Sequence, residues 1–188
     1  MAGEGDLEGD TVVASGFGHE KPHEGQSNDW LTPPKLLKML GEFDLDPCAS
    51  VKQASGEIWA TAKTMYAPPQ DGLNLPWQGR CWTNPPYGPH VDKWAQRMAD
   101  HHNGILLIFL RAETEAWRKI FASGDGFLFP YRRCCFYLPD GTRAKSGTAP
   151  SALVAYGESN VECLRTCGLA GAFFRRAEIT KGVKISTL

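Results

Sequence analysis

The sequence predicts a compact single-domain α/β protein with a largely parallel sheet, and three observations support this fold class. Residues 105–110 form an unbroken run of six apolar side chains, the pattern of a central strand buried on both faces. Apolar residues recur at helical spacing on either side of this run, over 91–98 and 116–121. A shorter apolar run, 81–83, ends on a proline-rich turn. Strands and helices therefore alternate, as a doubly wound sheet requires.

The 188-residue chain is long enough for one domain with its own core. Its net charge of −1 is unevenly spread, because residues 1–29 carry seven acids and one base, which leaves +5 on the rest. Residues 1–27 combine glycine and acids with few large apolar side chains, so we expect a disordered arm. We assign 28–176 to the folded domain and 177–188 to a basic tail.

Composition also bears on where the protein acts. No apolar run approaches the ~18 residues of a membrane span, and the N-terminus lacks the basic and apolar regions of a secretory signal. We therefore expect a cytoplasmic protein. The six cysteines include no CxxC pair, and cytoplasmic thiols stay reduced, so we expect neither disulfides nor a metal site.

The first predicted helix follows Trp30. Thr32 has the residue type of a helix N-cap, and Pro33 suits the first helical position. The apolar stripe of this helix is Leu36, Leu37 and Leu40. Gly41 ends it, and the alternating residues 43–46 predict a short strand.

After the central strand the predicted elements become shorter. We expect strands over 127–129, 134–138 and 151–156, and a closing helix over 161–169. The core is expected to include Phe121, Phe173 and Phe174. Residues 139–142 read as a hairpin turn.

The turn after residues 81–83 is the strongest candidate for chemistry. Pro85 and Pro86 fix their own φ and lack an N–H, so neither a helix nor a ladder continues there. The Asn84 side-chain oxygen and the Pro85 carbonyl can accept the two hydrogens of a planar amino group, which moves its nitrogen toward tetrahedral geometry and exposes the lone pair. The Tyr87 ring offers a face on which a base can stack. The alternative interpretation is a stiff loop with an exposed tyrosine.

Further motifs narrow the interpretation. They are Asp29-Trp30-Leu31-Thr32-Pro33, then Phe43-Asp44-Leu45-Asp46-Pro47-Cys48-Ala49-Ser50, then Asp71-Gly72-Leu73 with Trp77. In this order, and followed by Asn-Pro-Pro-Tyr, they resemble the phage-type DNA N-6-adenine methyltransferases of the Dam family over about 28–157. The resemblance implies a Rossmann-like methyltransferase sheet and methyl transfer from S-adenosylmethionine to a flipped-out adenine of double-stranded DNA. It also implies protection of phage DNA from host restriction.

The resemblance implies three groups of cofactor contacts. They are Trp30, Thr32 and Pro33; Asp46, Pro47, Cys48 and Ala49; and Asp71 with Leu73. Asp46 is implied near the ammonium group of the cofactor, although a helix-capping role is the alternative, as a simple turn is for Asp71. Small residues follow Asp46 in place of the usual glycine-rich turn, and only 38 positions separate it from Asn84. The sheet must therefore be abbreviated, and the usual ribose-binding acid has no clear counterpart, Glu57 being the nearest candidate.

Four basic residues lie on or beside the predicted hairpin: Arg132, Arg133, Arg143 and Lys145. We interpret them as phosphate contacts that position the duplex without reading its sequence, with a solvated hairpin as the alternative. The chain leaves little room for a recognition domain, so we expect a short target or weak selectivity.

Two other functions remain open at this point. Enzymes that methylate RNA or a protein glutamine share the Asn-Pro-Pro-Tyr segment alone. A non-catalytic DNA-binding or inhibitory protein on a degenerate methyltransferase scaffold would explain the missing glycine turn and the missing ribose acid.

Overall fold

The computed structural model describes residues 30–144 and 149–176 as a seven-stranded mixed sheet with helices. The helices are α1 (Pro34–Leu40), α2 (Val51–Ala54), α3 (Val91–His101), α4 (Glu115–Ser123) and α5 (Glu158–Thr166). The strands are β1 (Leu45–Asp46), β2 (Thr64–Met65), β3 (Cys81–Thr83), β4 (Gly104–Phe109), β5 (Gly126–Pro130), β6 (Ser151–Tyr156) and β7 (Gly171–Arg175). The predicted arm 1–27, the predicted tail 177–188 and Lys145 lie outside the described residues. No helix in the described part of the chain combines the length and apolar character needed to cross a membrane.

The order of the strands places a crevice near the middle of the sheet. The order is β2-β1-β3-β4-β6-β5-β7, and β1 to β4 pair in parallel. β6 is antiparallel to both β4 and β5, and β7 is antiparallel to β5. The chain moves from β1 outward to β2 but from β3 in the opposite direction to β4, so the winding reverses between β1 and β3. Open α/β sheets bind ligands at such a reversal, beyond the carboxyl ends of the strands.

The central strand predicted from the apolar run is confirmed as β4, which is buried on both faces. Leu106 and Ile108 belong to the cluster that contains the buried side chains of α3 and α4. Ile105 and Leu107 belong to the cluster that contains those of α1 and α5. Helices therefore cover both faces, and the predicted α3 and α4 are confirmed.

Two predicted strands differ from the structure. The strand expected over 43–46 is reduced to β1, since the Asp44 and Leu45 N–H groups both bond the Arg80 carbonyl, at 2.8 and 3.3 Å, in place of a regular ladder. The strand expected over 134–138 is wrong. Tyr137 forms isolated bridges with Leu31 and Arg143, exchanging backbone hydrogen bonds of 2.8 and 3.0 Å with Leu31, and within the described residues its neighbours join no ladder of the main sheet.

The C-terminal part also differs in detail. The closing helix begins at Glu158, three residues before the prediction, directly after Gly157 with a φ of 85°. Phe174 is 46% exposed and Phe121 is 38% exposed, so both were wrongly predicted as core. Phe173 and Phe174 lie on β7, which the sequence did not predict; this strand ends the sheet, and Phe173 packs against the core while Phe174 is exposed.

Candidate active site

A cavity of about 330 Å³ lies beyond the carboxyl ends of β1 and β3. These two strands are neighbours, with Leu45 opposite Cys81, and they deliver Asp46 and Asn84 to the same edge of the sheet. The predicted site residues that line the cavity are Trp30, Thr32, Asp46, Pro47, Cys48, Ala49, Asp71, Asn84, Pro85 and Pro86. The fold thus brings together four sequence segments, around residues 30, 46, 71 and 84, that were assigned to one site from the sequence.

Three predicted residues do not line this cavity. Pro33 is the N-cap of α1, and its carbonyl accepts hydrogen bonds from the first turn of that helix. Leu73 packs against the core on the α3 side. Tyr87 lies behind Asn84 and stacks face to face on Phe109, with ring centroids 3.7 Å apart and an interplanar angle of 10°.

The orientation of the Asn84 carboxamide follows from its partners. Its nitrogen donates to the main-chain carbonyl of Trp30 and, at 3.2 Å, to the hydroxyl oxygen of Thr32. Its oxygen accepts a hydrogen bond of 3.3 Å from the Tyr87 hydroxyl. A carbonyl can only accept, so the nitrogen must face Trp30 and the oxygen must point away from it. One lone pair of that oxygen is left for a ligand.

The Tyr87 hydroxyl acts as a donor at any physiological pH. Burial raises the pKa of Tyr87 far above its usual value, since a phenolate would lose its hydration there. The phenol therefore stays protonated and keeps its hydrogen bond to Asn84. Within the described residues, the neighbouring Pro85 carbonyl receives no hydrogen bond, so a second acceptor is available beside Asn84.

The expected N-cap role of Thr32 is wrong. Helix α1 begins at Pro34 with Pro33 as its N-cap, and it has no side-chain cap. The first turn contains Pro34, which has no N–H to be capped. The Thr32 hydroxyl is bonded to Asn84 instead, 52 positions further along the chain.

Asp46 is a buried carboxylate, 3% exposed, at the end of β1. One oxygen accepts a 2.5 Å hydrogen bond from the Thr61 hydroxyl, and the other accepts the Cys48 backbone N–H at 2.9 Å. Desolvation raises the pKa of Asp46 to about 6, against the opposing effect of these hydrogen bonds. Asp46 does not cap α2, because Ser50 caps that helix through a capping box with Gln53.

Gly72 lets two walls of the cavity meet. A Cβ at this position would lie 1.8 Å from the Pro47 carbonyl oxygen, so no side chain fits without moving the segment after Asp46. Asp71 accepts the Leu73 backbone N–H at 3.0 Å and the Asn74 side-chain amide at 2.7 Å. Asp71 thus organises the turn that brings Gly72 against Pro47, and it also lines the cavity.

Sequence reasoning missed three polar residues of the cavity wall. Thr61 holds Asp46, as described above. Gln53 and Trp82 are buried, and the Gln53 Nε2 and Trp82 Nε1 groups have no hydrogen-bond partner within the described residues. The capping box engages the Gln53 oxygen through the Ser50 N–H, which turns the Gln53 nitrogen the other way. The capping pattern Ser50-x-x-Gln53 is visible in the sequence, but nothing local indicates its place in a cavity wall.

The predicted DNA contacts lie outside the cavity. Arg132 and Arg133 are exposed, in the irregular segment after β5. Arg143 is also exposed, and its backbone forms an isolated bridge with Tyr137. Because Tyr137 also bridges Leu31, the segment that carries Arg143 packs near Leu31. These three cations therefore lie on the surface, free of the cavity wall.

A family model described as DNA N-6-adenine-methyltransferase (Dam) matches residues 20–154. Neither the curated proteins nor the solved structures contain a match to the chain.

Proposed function

The chain belongs to the DNA N-6-adenine-methyltransferase (Dam) family, and on this premise we propose that it moves a methyl group from S-adenosylmethionine to N6 of a flipped-out adenine in double-stranded DNA. One observation above all supports this proposal: the oriented carboxamide of Asn84 stands beside the Pro85 carbonyl, which accepts no hydrogen bond from the described residues, at the cavity. Catalysis would rest on positioning and hydrogen bonding, without a covalent enzyme intermediate.

The strand order supports a Rossmann-like interpretation of the sheet. Parallel strands wind in both directions from the pair β1 and β3, and an antiparallel strand, β6, is inserted beyond β4. The cavity lies at the reversal, where such sheets bind nucleotide-like ligands. In the described part of the chain, β2 is the single strand beyond β1, which agrees with the abbreviation expected from the short spacing between Asp46 and Asn84.

The cavity wall fits the chemistry of S-adenosylmethionine. The cofactor presents an ammonium group, a carboxylate, hydroxyls and ring nitrogens, and its sulfonium supplies the methyl group. The buried Asp46 carboxylate would hold the ammonium group. The N–H groups of Gln53 and Trp82, which have no partner among the residues that the structure describes, would donate to acceptors of the ligand, because a buried donor without a partner costs stability that a ligand can recover. The volume of about 330 Å³ lies in the range of small-molecule sites.

The turn at Asn84 would activate the base. The Asn84 oxygen and the Pro85 carbonyl each accept one N6 hydrogen, so the amino nitrogen moves toward tetrahedral geometry and its lone pair becomes available. These bonds strengthen as the nitrogen pyramidalises, and they therefore favour the transition state over the ground state. A base that stacks on Tyr87 would use the face opposite Phe109, since Phe109 covers the other. Reaching this pocket requires the adenine to leave the duplex stack.

The contact between Gly72 and Pro47 leads to a first prediction. We expect Gly72→Ala to weaken S-adenosylmethionine binding and to lower the free energy of unfolding by about 1–3 kcal/mol, because the new methyl group displaces Pro47. Gly56→Ala is the matched control. Gly56 has a φ of 79° and open space around it, so alanine there is strained but leaves the cavity intact. Calorimetric titration and thermal unfolding test both variants, and equal cofactor affinity for Gly72→Ala and the parent would contradict the prediction.

The exposed arginines lead to a second prediction, on DNA affinity. If Arg132 and Arg133 each contact a phosphate, the slope of log affinity against log salt concentration should be less negative by about 0.9 in each alanine variant. Arg165→Ala is the control, because Arg165 lies on α5 and is paired with Glu162. Fluorescence anisotropy with an unmethylated duplex at several salt concentrations measures the slopes. Slopes equal to that of the parent in both variants would leave these arginines as solvated surface residues.

The proposed function is tested by transfer of labelled methyl from S-adenosylmethionine to unmethylated duplex DNA, followed by nucleoside digestion and mass identification. We expect the label in N6-methyl-2′-deoxyadenosine, the N6-methylated nucleoside that DNA releases. Cofactor binding without label in DNA would point to an amino group of RNA or to a protein amide as the substrate. The absence of cofactor binding would favour a non-catalytic scaffold. Digestion of the product with site-specific restriction enzymes would show whether the target is short.

A further inference from the structure

The Trp30–Thr32 segment is held in place without help from Asn84. The backbone of Leu31 bonds Tyr137 in both directions, at 2.8 and 3.0 Å. The Thr32 carbonyl accepts a 3.0 Å hydrogen bond from the Trp59 indole N–H, and Thr32 is 2% exposed. A fixed, buried hydroxyl is thus available beside the Asn84 nitrogen.

This segment can set the rotation of the carboxamide. The Asn84 nitrogen has two hydrogens, and the Trp30 carbonyl and the Thr32 hydroxyl accept one each. A carboxamide turned by 180° would place its oxygen against the Trp30 carbonyl, two acceptors in contact. Loss of the Thr32 acceptor would leave the nitrogen with one partner and allow the amide plane to tilt.

We infer that Thr32 is a positioning residue for methyl transfer: its hydroxyl, with the Trp30 carbonyl, holds the Asn84 carboxamide so that its oxygen faces the amino group of the target base. The inference rests on the proposed function and deepens it. Thr32 touches no reacting atom in this role and acts through Asn84. It also lines the cavity, so a role in cofactor binding alone is the competing account and the experiment must separate the two.

Two substitutions at one position separate the hydroxyl from the side-chain volume. Thr32→Val removes the hydroxyl at nearly constant volume, and Thr32→Ser keeps it. We expect Thr32→Val to lower kcat for adenine methylation about 5- to 10-fold, the effect of one hydrogen bond between neutral groups, with the Kd for S-adenosylmethionine changed less than about 2-fold. Thr32→Ser should retain kcat within about 2-fold of the parent. Thermal unfolding of each variant shows that it is folded.

A double substitution tests whether Thr32 acts through Asn84. In an Asn84→Ala background there is no carboxamide to orient, so Thr32→Val should cause no further loss of labelled-methyl transfer in a long incubation. An equal loss in both backgrounds, an unchanged kcat in Thr32→Val, or a loss of kcat matched by a loss of cofactor affinity would each overturn the inference. Failure of the parent chain to methylate adenine would instead overturn the proposed function on which the inference rests.

Discussion

Replacing Asn84 with alanine is expected to lower kcat for adenine methylation by about 10²- to 10³-fold, the range found when one preorganised hydrogen-bonding group is removed from a reaction centre. The substitution removes the side-chain oxygen that would accept one N6 hydrogen, and it leaves the Pro85 carbonyl alone. The Kd for S-adenosylmethionine should change little, because the groups proposed to hold the cofactor, such as Asp46, are untouched. Single-turnover transfer of labelled methyl measures the first quantity, and calorimetric titration measures the second.

The control is an asparagine at the amino ends of the parallel strands, whereas the cavity lies beyond their carboxyl ends. Asn103 lies just before β4, where its side chain donates a 3.0 Å hydrogen bond to the Gly79 carbonyl and accepts one of 3.1 Å from Asn160. Asn103→Ala should lower the melting temperature and keep kcat, because these bonds stabilise the fold far from the cavity. An Asn84→Ala enzyme with near-parental kcat would eliminate the proposed activation of the amino group.

The regular elements could be predicted wherever local pattern and tertiary environment agree. β4 is buried on both faces, as its unbroken apolar run predicts. Helices α3 and α4 each bury one stripe of side chains, as the helical spacing of their apolar residues predicts. Residues 134–138 are as apolar as a short strand, yet Tyr137 bonds Leu31, more than 100 positions earlier. Strand pairing depends on such distant partners, and a short apolar run does not identify them.

The candidate site likewise combines residues that the local pattern predicts with residues that only tertiary contacts place. Asn84 and Asp46 could be predicted because each ends a strand of a parallel sheet, and neighbouring parallel strands deliver such residues to one edge. Thr61 reaches Asp46 from outside any motif. Thr32 shows how a local rule can mislead: threonine before two prolines has the pattern of a helix cap, whereas its hydroxyl bonds Asn84. Tertiary hydrogen bonds replaced the local ones at that position.

Asp46→Asn is expected to weaken S-adenosylmethionine binding by about 10- to 100-fold, the range for one hydrogen bond to a charged group. The parent should also show a pH dependence that the variant lacks. Burial raises the pKa of Asp46 to about 6, so in the absence of ligand the carboxyl is neutral below this value and charged above it. Cofactor affinity should therefore rise as the pH increases through about 6 and level off above about 7. Calorimetric titration between pH 5 and 8 measures the two profiles.

The same pKa gives an independent signature in the ligand-free protein. The folded state holds the Asp46 proton more tightly than the unfolded state, whose ordinary carboxyl pKa is 3.8. The contribution of Asp46 to the free energy of unfolding is therefore fully present below pH 4. It is lost as the pH rises from about 4 to 6, and it does not change further above that. A shift of this size corresponds to about 3 kcal/mol in the free energy of unfolding. The stability of Asp46→Asn relative to the parent should consequently increase across that interval, while its affinity for the cofactor stays low. If the difference in stability between Asp46→Asn and the parent did not change with pH, Asp46 would ionise with an ordinary pKa. Burial of its charge would then carry no cost, and an ammonium group of a ligand would have no such cost to relieve.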